Sequence, residues 1–352
     1  MFKQSTLMVG LTAAGLFSLA ANAEHSHTTT QAITHAPIGV MGDHLHKKDE
    51  FMMSYRFMTM HMSGNLQGSH NISNDDIVTS IANPNAPPAT VRVVPQDMSS
   101  SMHMLGFMYA PSDDVTLMAM LNYIDRDMSL TTYQGMMGTT VLGDFESASS
   151  GLADSKLAVL YRLFDSPNHK VHANLGWVIP TGSIEETGEV LTPMNMPMTL
   201  RLPYGMQTGT GSHQGEFGLT YNGYAGNYSW GVQGLLSTSL GENDEAYEPG
   251  NKTQLTGWTA YAFSDAVSAS VRVKYSSSQE ISGVDAKIVA PVTTANPNNY
   301  GADVLDLGLG INTVIANKHR IALEYSQPIN YKVNGVQMDM DNMLTLGYQI
   351  AF

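Results

Sequence analysis

The sequence predicts an all-β protein, a transmembrane antiparallel β-barrel of about twelve strands with short periplasmic turns and long extracellular loops. Three observations carry this. From residue 50 onward apolar and polar side chains alternate with a period of two, which puts one greasy and one wet face on each strand. The connections between these runs are short and long by turns, as in outer-membrane barrels. The last run alternates to the end of the chain and closes on an aromatic, Phe352.

Composition narrows the field before any element is placed. Among 352 residues, 31 Asp and Glu outnumber 17 Lys and Arg, for a formal net charge of −14. Such a balance argues against nucleic acid, whose phosphates need clustered cations. With no cysteine there is no disulfide scaffold, thiol catalysis, Cys-ligated metal or lipoprotein anchor. Charged residues make up only 14% of the chain, sparse for a soluble domain, while Met (24) and Gly (32) are abundant.

Residues 1–23 read as a cleaved export signal, with Lys3, an apolar stretch from Leu7 to Ala20 and the small residues Ala21-Asn22-Ala23. The apolar stretch is shorter than the ~20 residues a membrane helix requires. Cleavage removes Lys3 and takes the net charge from −14 to −15. Residues 24–49 are too polar to insert and too short to form a domain. They are expected as a periplasmic segment that hangs free or enters the barrel as a plug, with Ala36-Pro37-Ile38-Gly39-Val40 its compact apolar piece.

The barrel is expected over 50–352, with strands near 50–62, 99–110, 115–128, 152–163, 170–180, 212–222, 228–240, 252–263, 267–280, 302–314, 320–331 and 341–352. In Val267 to Tyr275, for instance, Val, Ala, Val, Val and Tyr alternate with Ser, Ser, Arg and Lys. Connections after the even strands are tight, such as Pro111-Ser112-Asp113-Asp114 and Ser264-Asp265; those after the odd strands are long and rich in Pro, Gly, Asn, Ser and Thr. Runs of 10–14 residues suit tilted membrane strands, which need ~9–11 to cross. On the outward face, Phe107, Tyr109, Tyr161, Tyr221, Tyr261 and Phe263 gather toward the short turns, and Tyr123, Trp177 and Tyr275 toward the long loops. Two aromatic girdles are expected of such barrels. A soluble β-sandwich also alternates, but it would not sort its loops by parity.

Parity also fixes what should line the lumen. Strands 4–6 and 9–11 turn Asp154, Lys156, Arg162, His172, Asn174, Gln214, Glu216, Arg272, Lys274, Asp306, Arg320 and Glu324 inward. Strands 1–3 instead turn in Met52, Arg56, Met58, Met60 and Met62, then Met102, Met104 and Met108, then Met118, Met120 and Met128. Three readings of this thioether wall stand side by side. Flexible Met fills irregular space against a plug, or it forms an adaptable path for apolar and aromatic solutes, or it is a track for a soft metal such as Cu(I). The metal reading draws on His25, His27, His35, His44 and His46, five of the 12 His, all within 24–49. His61 and His103 sit in Met-His-Met triplets, but on a strand each points away from its neighbours.

The long loops at 63–98, 131–150, 181–210 and 241–251 carry −2, −2, −2 and −4, a mouth that modestly favours cations. No nucleophile elbow, phosphate loop or zinc-protease motif occurs. A lipid-facing hydrolase would need a Ser/His pair. Ser101 and His103 share a face, with His213 also outward, but no orienting acid accompanies them, and the chain is read as a non-enzyme.

The segments His46-Lys47-Lys48-Asp49-Glu50 through His61-Met62-Ser63-Gly64, Met102-His103-Met104-Leu105-Gly106 through Tyr109-Ala110-Pro111, Gly151-Leu152-Ala153-Asp154 and Pro180-Thr181-Gly182-Ser183 resemble an outer-membrane β-barrel family named for the meta-pathway of phenol degradation. The resemblance spans most of the mature chain and implies uptake of small aromatic compounds, but it assigns no residue a role. The combined expectation is a passive transporter or channel in the outer membrane of a Gram-negative bacterium. Its partners would be membrane lipid and lipopolysaccharide, the barrel assembly machinery during biogenesis, and a small apolar or aromatic solute. It would need no cofactor. The alternative is a copper- or silver-handling barrel using the lumen Met and N-terminal His.

Overall fold

The computed structural model describes residues 31–352. The proposed export signal, His25 and His27 lie outside the described residues. The wall comprises β1 (Phe51–Gln67), β2 (Val93–Ser112), β3 (Val115–Tyr133), β4 in two segments (Val141–Leu152 and Ser155–Asp165), β5 (His169–Ile179) and β6 (Gln214–Ala225). It continues through β7 (Tyr228–Ser239), β8 (Lys252–Ser264), β9 (Val267–Ser278), β10 (Ala302–Ile315), β11 (His319–Val333) and β12 (Val336–Ala351). Each strand pairs antiparallel with the next, and β12 returns to β1 with Ala351 opposite Met52, so the sheet closes into a barrel of twelve strands. Closure gives the wall's backbone groups partners inside the sheet, the condition for facing lipid.

The alternation sorts side chains as expected. Met53, Tyr55, Leu105, Tyr109, Leu117 and Leu121 are exposed on the outside, while their neighbours Met52, Arg56, Met104, Met108, Met118 and Met120 are buried within. The outer band continues around the barrel through Leu157, Leu175, Phe217, Leu255, Val271, Leu309 and Leu323. This belt, edged by Tyr109, Tyr161 and Phe263 at one end and by Tyr123, Trp177 and Tyr275 at the other, is matched to the hydrocarbon of an outer membrane.

The strands run farther than the alternation. β1 continues to Gln67, β2 already begins at Val93, and β3 continues to Tyr133. The stretch 131–150, expected as a loop, is mostly ribbon, with Thr131 opposite Asp144 and Ser129 opposite Glu146. The connection after β11, also expected to be long, is the two-residue turn Asn334-Gly335, with Gly335 at φ 59°. Asn-Gly is the favoured pair for a two-residue hairpin. Beyond the bilayer the outer face of a ribbon no longer meets lipid, so the period-two signal fades while backbone pairing goes on.

β4 breaks at Ala153-Asp154. Val141–Leu152 pairs with β3, Tyr123 lying opposite Leu152, while Ser155–Asp165 pairs with both β3 and β5. The break is bridged by Asp154, whose carboxylate accepts Gly182 N (3.1 Å), Thr210 N (2.9 Å) and Thr210 Oγ1 (2.6 Å). Gly182 and Gly209 pass so closely that a Cβ on Gly182 would lie 2.6 Å from the Gly209 Cα. The stretches Gly151–Asp154 and Pro180–Ser183 thus meet in one seam of the wall. Asp154→Ala should lower stability by about 3 kcal/mol, since hydrogen bonds to a charged acceptor are worth ~1.5–3 each and do not add fully. An unchanged urea midpoint for the refolded variant would show that Asp154 does not hold the seam.

The long loops turn inward. A core of Val93, Met128, Leu202, Tyr204, Met206, Tyr247, Ile288, Val292 and Met338 sits inside the upper barrel. Tyr204 packs edge-on against Tyr247 and Tyr300, with ring centroids 4.8 and 5.7 Å apart. Part of the loop acidity is internally paired. Arg201 lies 3.4 Å from Glu245, 3.4 Å from Asp285 and 3.6 Å from Glu185, and Lys287 lies 2.5 Å from Glu245.

Candidate functional site in the lumen

The lumen is filled from both ends, and the lower filling is the chain's own N-terminal stretch. Residues 31–46 run inside the wall with their carbonyls met by strand side chains, as backbone acceptors removed from water require. Ser268 Oγ donates to Ala32 O (3.1 Å), Arg320 Nη2 to Ala36 O (2.6 Å) and Gln233 Nε2 to Met41 O (3.0 Å). His172 Nε2 donates to Gly42 O (2.8 Å) and Asn222 Nδ2 to Asp43 O (2.8 Å). These donors come from β9, β11, β7, β5 and β6, so the segment is held across the barrel rather than along one strand. Ile38 is buried, and Gly39 passes over the Arg272–Glu324 pair, where a Cβ would come within 2.8 Å of Arg272 Nη2.

Several polar residues that parity turned inward therefore serve the segment. His172, Asn174 and Arg320 bind its backbone. Others pair along the wall: Lys156 with Glu216, Arg272 with Glu324 (2.5 Å), Lys274 with Asp306 (2.9 Å), and Arg162 with Asp165 (2.5 Å). Arg56 is buried in the field of Asp43 and Glu324, with its Nε unpartnered.

The methionine wall is divided into two storeys. Met52, Met104, Met108, Met118 and Met120 pack with Ala158 and Leu160 against Met41 and Leu45 of the inner segment, with Met58 and Met102 at the edge. These thioethers are covered. Above them, Met60 and Met62 line a cavity of about 220 Å³ together with Met98, Met128, Met206 and Met338. Its roof is built from the inturned loops, at Pro203, Gly205, Thr294 and Tyr300, and its polar groups include Arg126, Ser100, Asn299 and Gln337. Arg126 Nη1 also donates to Gln207 O (2.5 Å), which ties this wall residue to the loop above. Met206 and Tyr300 escaped the sequence reading because they lie in loops, where no periodicity indicates direction.

The five N-terminal histidines separate. His25 and His27 are outside the described residues, while His35, His44 and His46 come together. Ring centroids are 5.1 Å apart for His35 and His44, and 4.9 Å for His44 and His46. Two carboxylates join them: Asp43 Oδ1 lies 2.9 Å from His44 Nδ1, and Glu50 Oε2 lies 3.3 Å from His46 Nδ1. His35 Nδ1 and His46 Nε2 are buried with no hydrogen-bond partner. Burial, reinforced by the Arg320 charge, holds the His35 imidazole well below its usual range. Burial, with His44 beside it, lowers His46 to about 4. For Asp43 burial pushes the carboxyl up, but His44 and Arg320 more than offset this and keep it well below the usual carboxylate range. Asp43 and Glu50 were missed in the sequence, although Asp43 precedes His44 directly and Glu50 follows His46 by four residues.

The outward pair considered for hydrolysis is engaged elsewhere. His103 Nδ1 lies 2.7 Å from Tyr55 OH, Ser101 Oγ donates to Thr59 Oγ1 (3.4 Å), and Trp177 Nε1 donates to His213 Nδ1 (3.2 Å).

No protein-family model matches the chain, and no curated protein is similar to it in sequence. Solved structures are similar in fold. An outer membrane channel from Pseudomonas putida F1 aligns with a TM-score of 0.58 at 13% identity, covering 89% of this chain and 99% of that one. The β domain of the Bordetella autotransporter BrkA aligns at 0.46 and 10% identity, covering 87% of this chain and all of that one (100%). The P. putida toluene transporter TodX aligns at 0.42 and 9% identity, covering 87% and 91%. At these identities the likeness is one of fold: a closed outer-membrane β-barrel.

Proposed function

We propose that this barrel is an outer-membrane channel for small solutes. It admits apolar or aromatic molecules from the loop side into the upper thioether chamber, with the inner segment as the bar beneath. The observation that carries this reading is the chamber itself, a cavity of about 220 Å³ faced by six methionines beneath the inturned loops. An apolar cavity of ~150 Å³ already accepts benzene, so a single aromatic ring fits. Thioethers adapt to such rings at little cost, and Arg126 and Asn299 provide for a polar substituent. The family resemblance read from the sequence motifs points to the same class of solute.

The test is entry of phenol or toluene, against a small sugar, into liposomes carrying the refolded barrel. Changing Met60, Met128 and Met338 together to Gln keeps their size and removes their apolar character. Aromatic entry should fall about tenfold, equivalent to ~1.4 kcal/mol and within what the loss of a few apolar contacts supplies. Sugar entry should not change. Equal aromatic entry in parent and variant would sink the chamber as the solute's route.

A further inference from the structure

We infer that His35, His44 and His46, with Asp43 and Glu50 beside them, form a transition-metal site on the periplasmic side of the inner segment. The proposal goes beyond the channel reading and stands without it. Three imidazoles lie ring to ring in one stretch of chain folded back on itself, and one atom each from His35, Asp43 and His44 already lies within 4.8 Å of the others. An ion held at ~2.0–2.1 Å would draw such donors to roughly 3.4 Å apart.

The hydrogen bonding around the cluster is that of a ligand set. A metal-bound histidine commonly donates its other ring N–H to a carboxylate, which fixes the tautomer and leaves the free nitrogen for the metal. Glu50 stands at His46 Nδ1 in that relation, while Asp43, beside His44 Nδ1, is itself one of the three converging donors. His46 Nε2 is left buried and unpartnered, and so is His35 Nδ1. A buried ring nitrogen without a partner costs stability, and an ion held at the converging His35, Asp43 and His44 would relieve that cost at His35. The two carboxylates balance a divalent charge beside Arg320, the cation facing the cluster from β11. Asp43 Oδ2 also accepts Ala36 N (3.0 Å), joining the two arms of the fold-back.

Access is from the short-turn end. Two cavities, of about 50 and 210 Å³, both reach His35 and His44; one is bordered by Pro167 of the turn after β4, the other by Asn317 and Lys318 of the turn after β10. Imidazole donors select Zn²⁺, Cu²⁺ or Ni²⁺ over Mg²⁺ and Ca²⁺, and Cu²⁺ binds most tightly in that series. Met52 also borders the larger cavity.

The experiment uses the refolded full barrel with His25 and His27 changed to Ala, which removes the other two histidines of the N-terminal segment; the seven histidines of the barrel remain in every variant. It is stripped with chelator, then titrated calorimetrically with Zn²⁺ or Cu²⁺, with Mg²⁺ as control. One equivalent should bind. Affinity should fall at least tenfold in His35→Ala and in His44→Ala, while retained heat-modifiability on gels reports an intact barrel. Electron paramagnetic resonance of the Cu²⁺ form needs no further substitution and should show coupling to two or more imidazole nitrogens. No stoichiometric binding in the His25/His27 variant overturns the site. So does a spectrum with oxygen ligands alone, or unchanged affinity in folded His35→Ala and His44→Ala. None of these outcomes bears on solute entry, so the site and the channel reading fail separately.

Discussion

Deleting residues 24–45 is expected to raise the single-channel conductance of the barrel on the order of tenfold or more, because the freed cross-section fills with water. The argument rests on what holds the segment and on what is left when it goes. Its carbonyls are bound by Ser268, Arg320, Gln233, His172 and Asn222, side chains from five strands. All five are polar, so water can replace the segment without leaving them unsatisfied. The wall itself pairs strand to strand and does not pass through the segment. The deletion stops short of Lys47 because the next turn belongs to the barrel: Lys48 N donates to Asp113 Oδ1 (2.9 Å) and Ala110 N to Glu50 O (3.1 Å). Planar-bilayer recording of intact and shortened protein makes the comparison. Equal conductance would mean that the inturned loops and not the segment limit the pore, and the plug would have to be dropped from the channel reading.

Changing Glu324 to Ala should destabilise the intact barrel by about 3–5 kcal/mol, the cost of leaving a buried charge without its partner. Glu324 and Arg272 are 2% and 4% exposed in the lumen, and the guanidinium reaches the carboxylate through both Nε and Nη2. Replacing the pair together, Arg272→Met with Glu324→Leu, should be close to neutral, because no orphaned charge remains. The inner segment adds a second test. Gly39 lies directly over the pair and shields it from water. In the shortened barrel Arg272 is solvated, and the penalty for Glu324→Ala should shrink well below its value in the intact protein. Urea midpoints of the four proteins measure this. An equal loss in both backgrounds would show that the segment does not shield the pair.

These effects show which links from sequence to function are local. The alternation in β9, Val267 to Tyr275, is written in nine consecutive residues and needs no partner to be read. The same holds for the inward turn of Met52, Met104 and Met120, which a one-residue shift would reverse. What the alternation could not reveal was its own end. The ribbon over 141–152 pairs with β3, but its apolar side chains, Val141, Leu142, Phe145, Ala148 and Leu152, follow no period of two. Asn334-Gly335 did carry a signal, the hairpin pair itself, but apolar alternation gives no weight to a turn.

By itself, then, the sequence determined the barrel, its strand order, the girdles and which side chains face inward, because each follows from a strand's period of two and from the lengths of its neighbouring connections. The tertiary structure alone decided what those inward side chains meet. Arg320 binds Ala36 across 284 residues, Asn312 binds it across 276, and Met120 lies beneath Met41. Such pairings depend on how the closed barrel staggers its strands and on where an aperiodic segment comes to rest inside it. The same closure divided one methionine wall into a covered storey and an open chamber, and gathered His35, His44 and His46 at the periplasmic end.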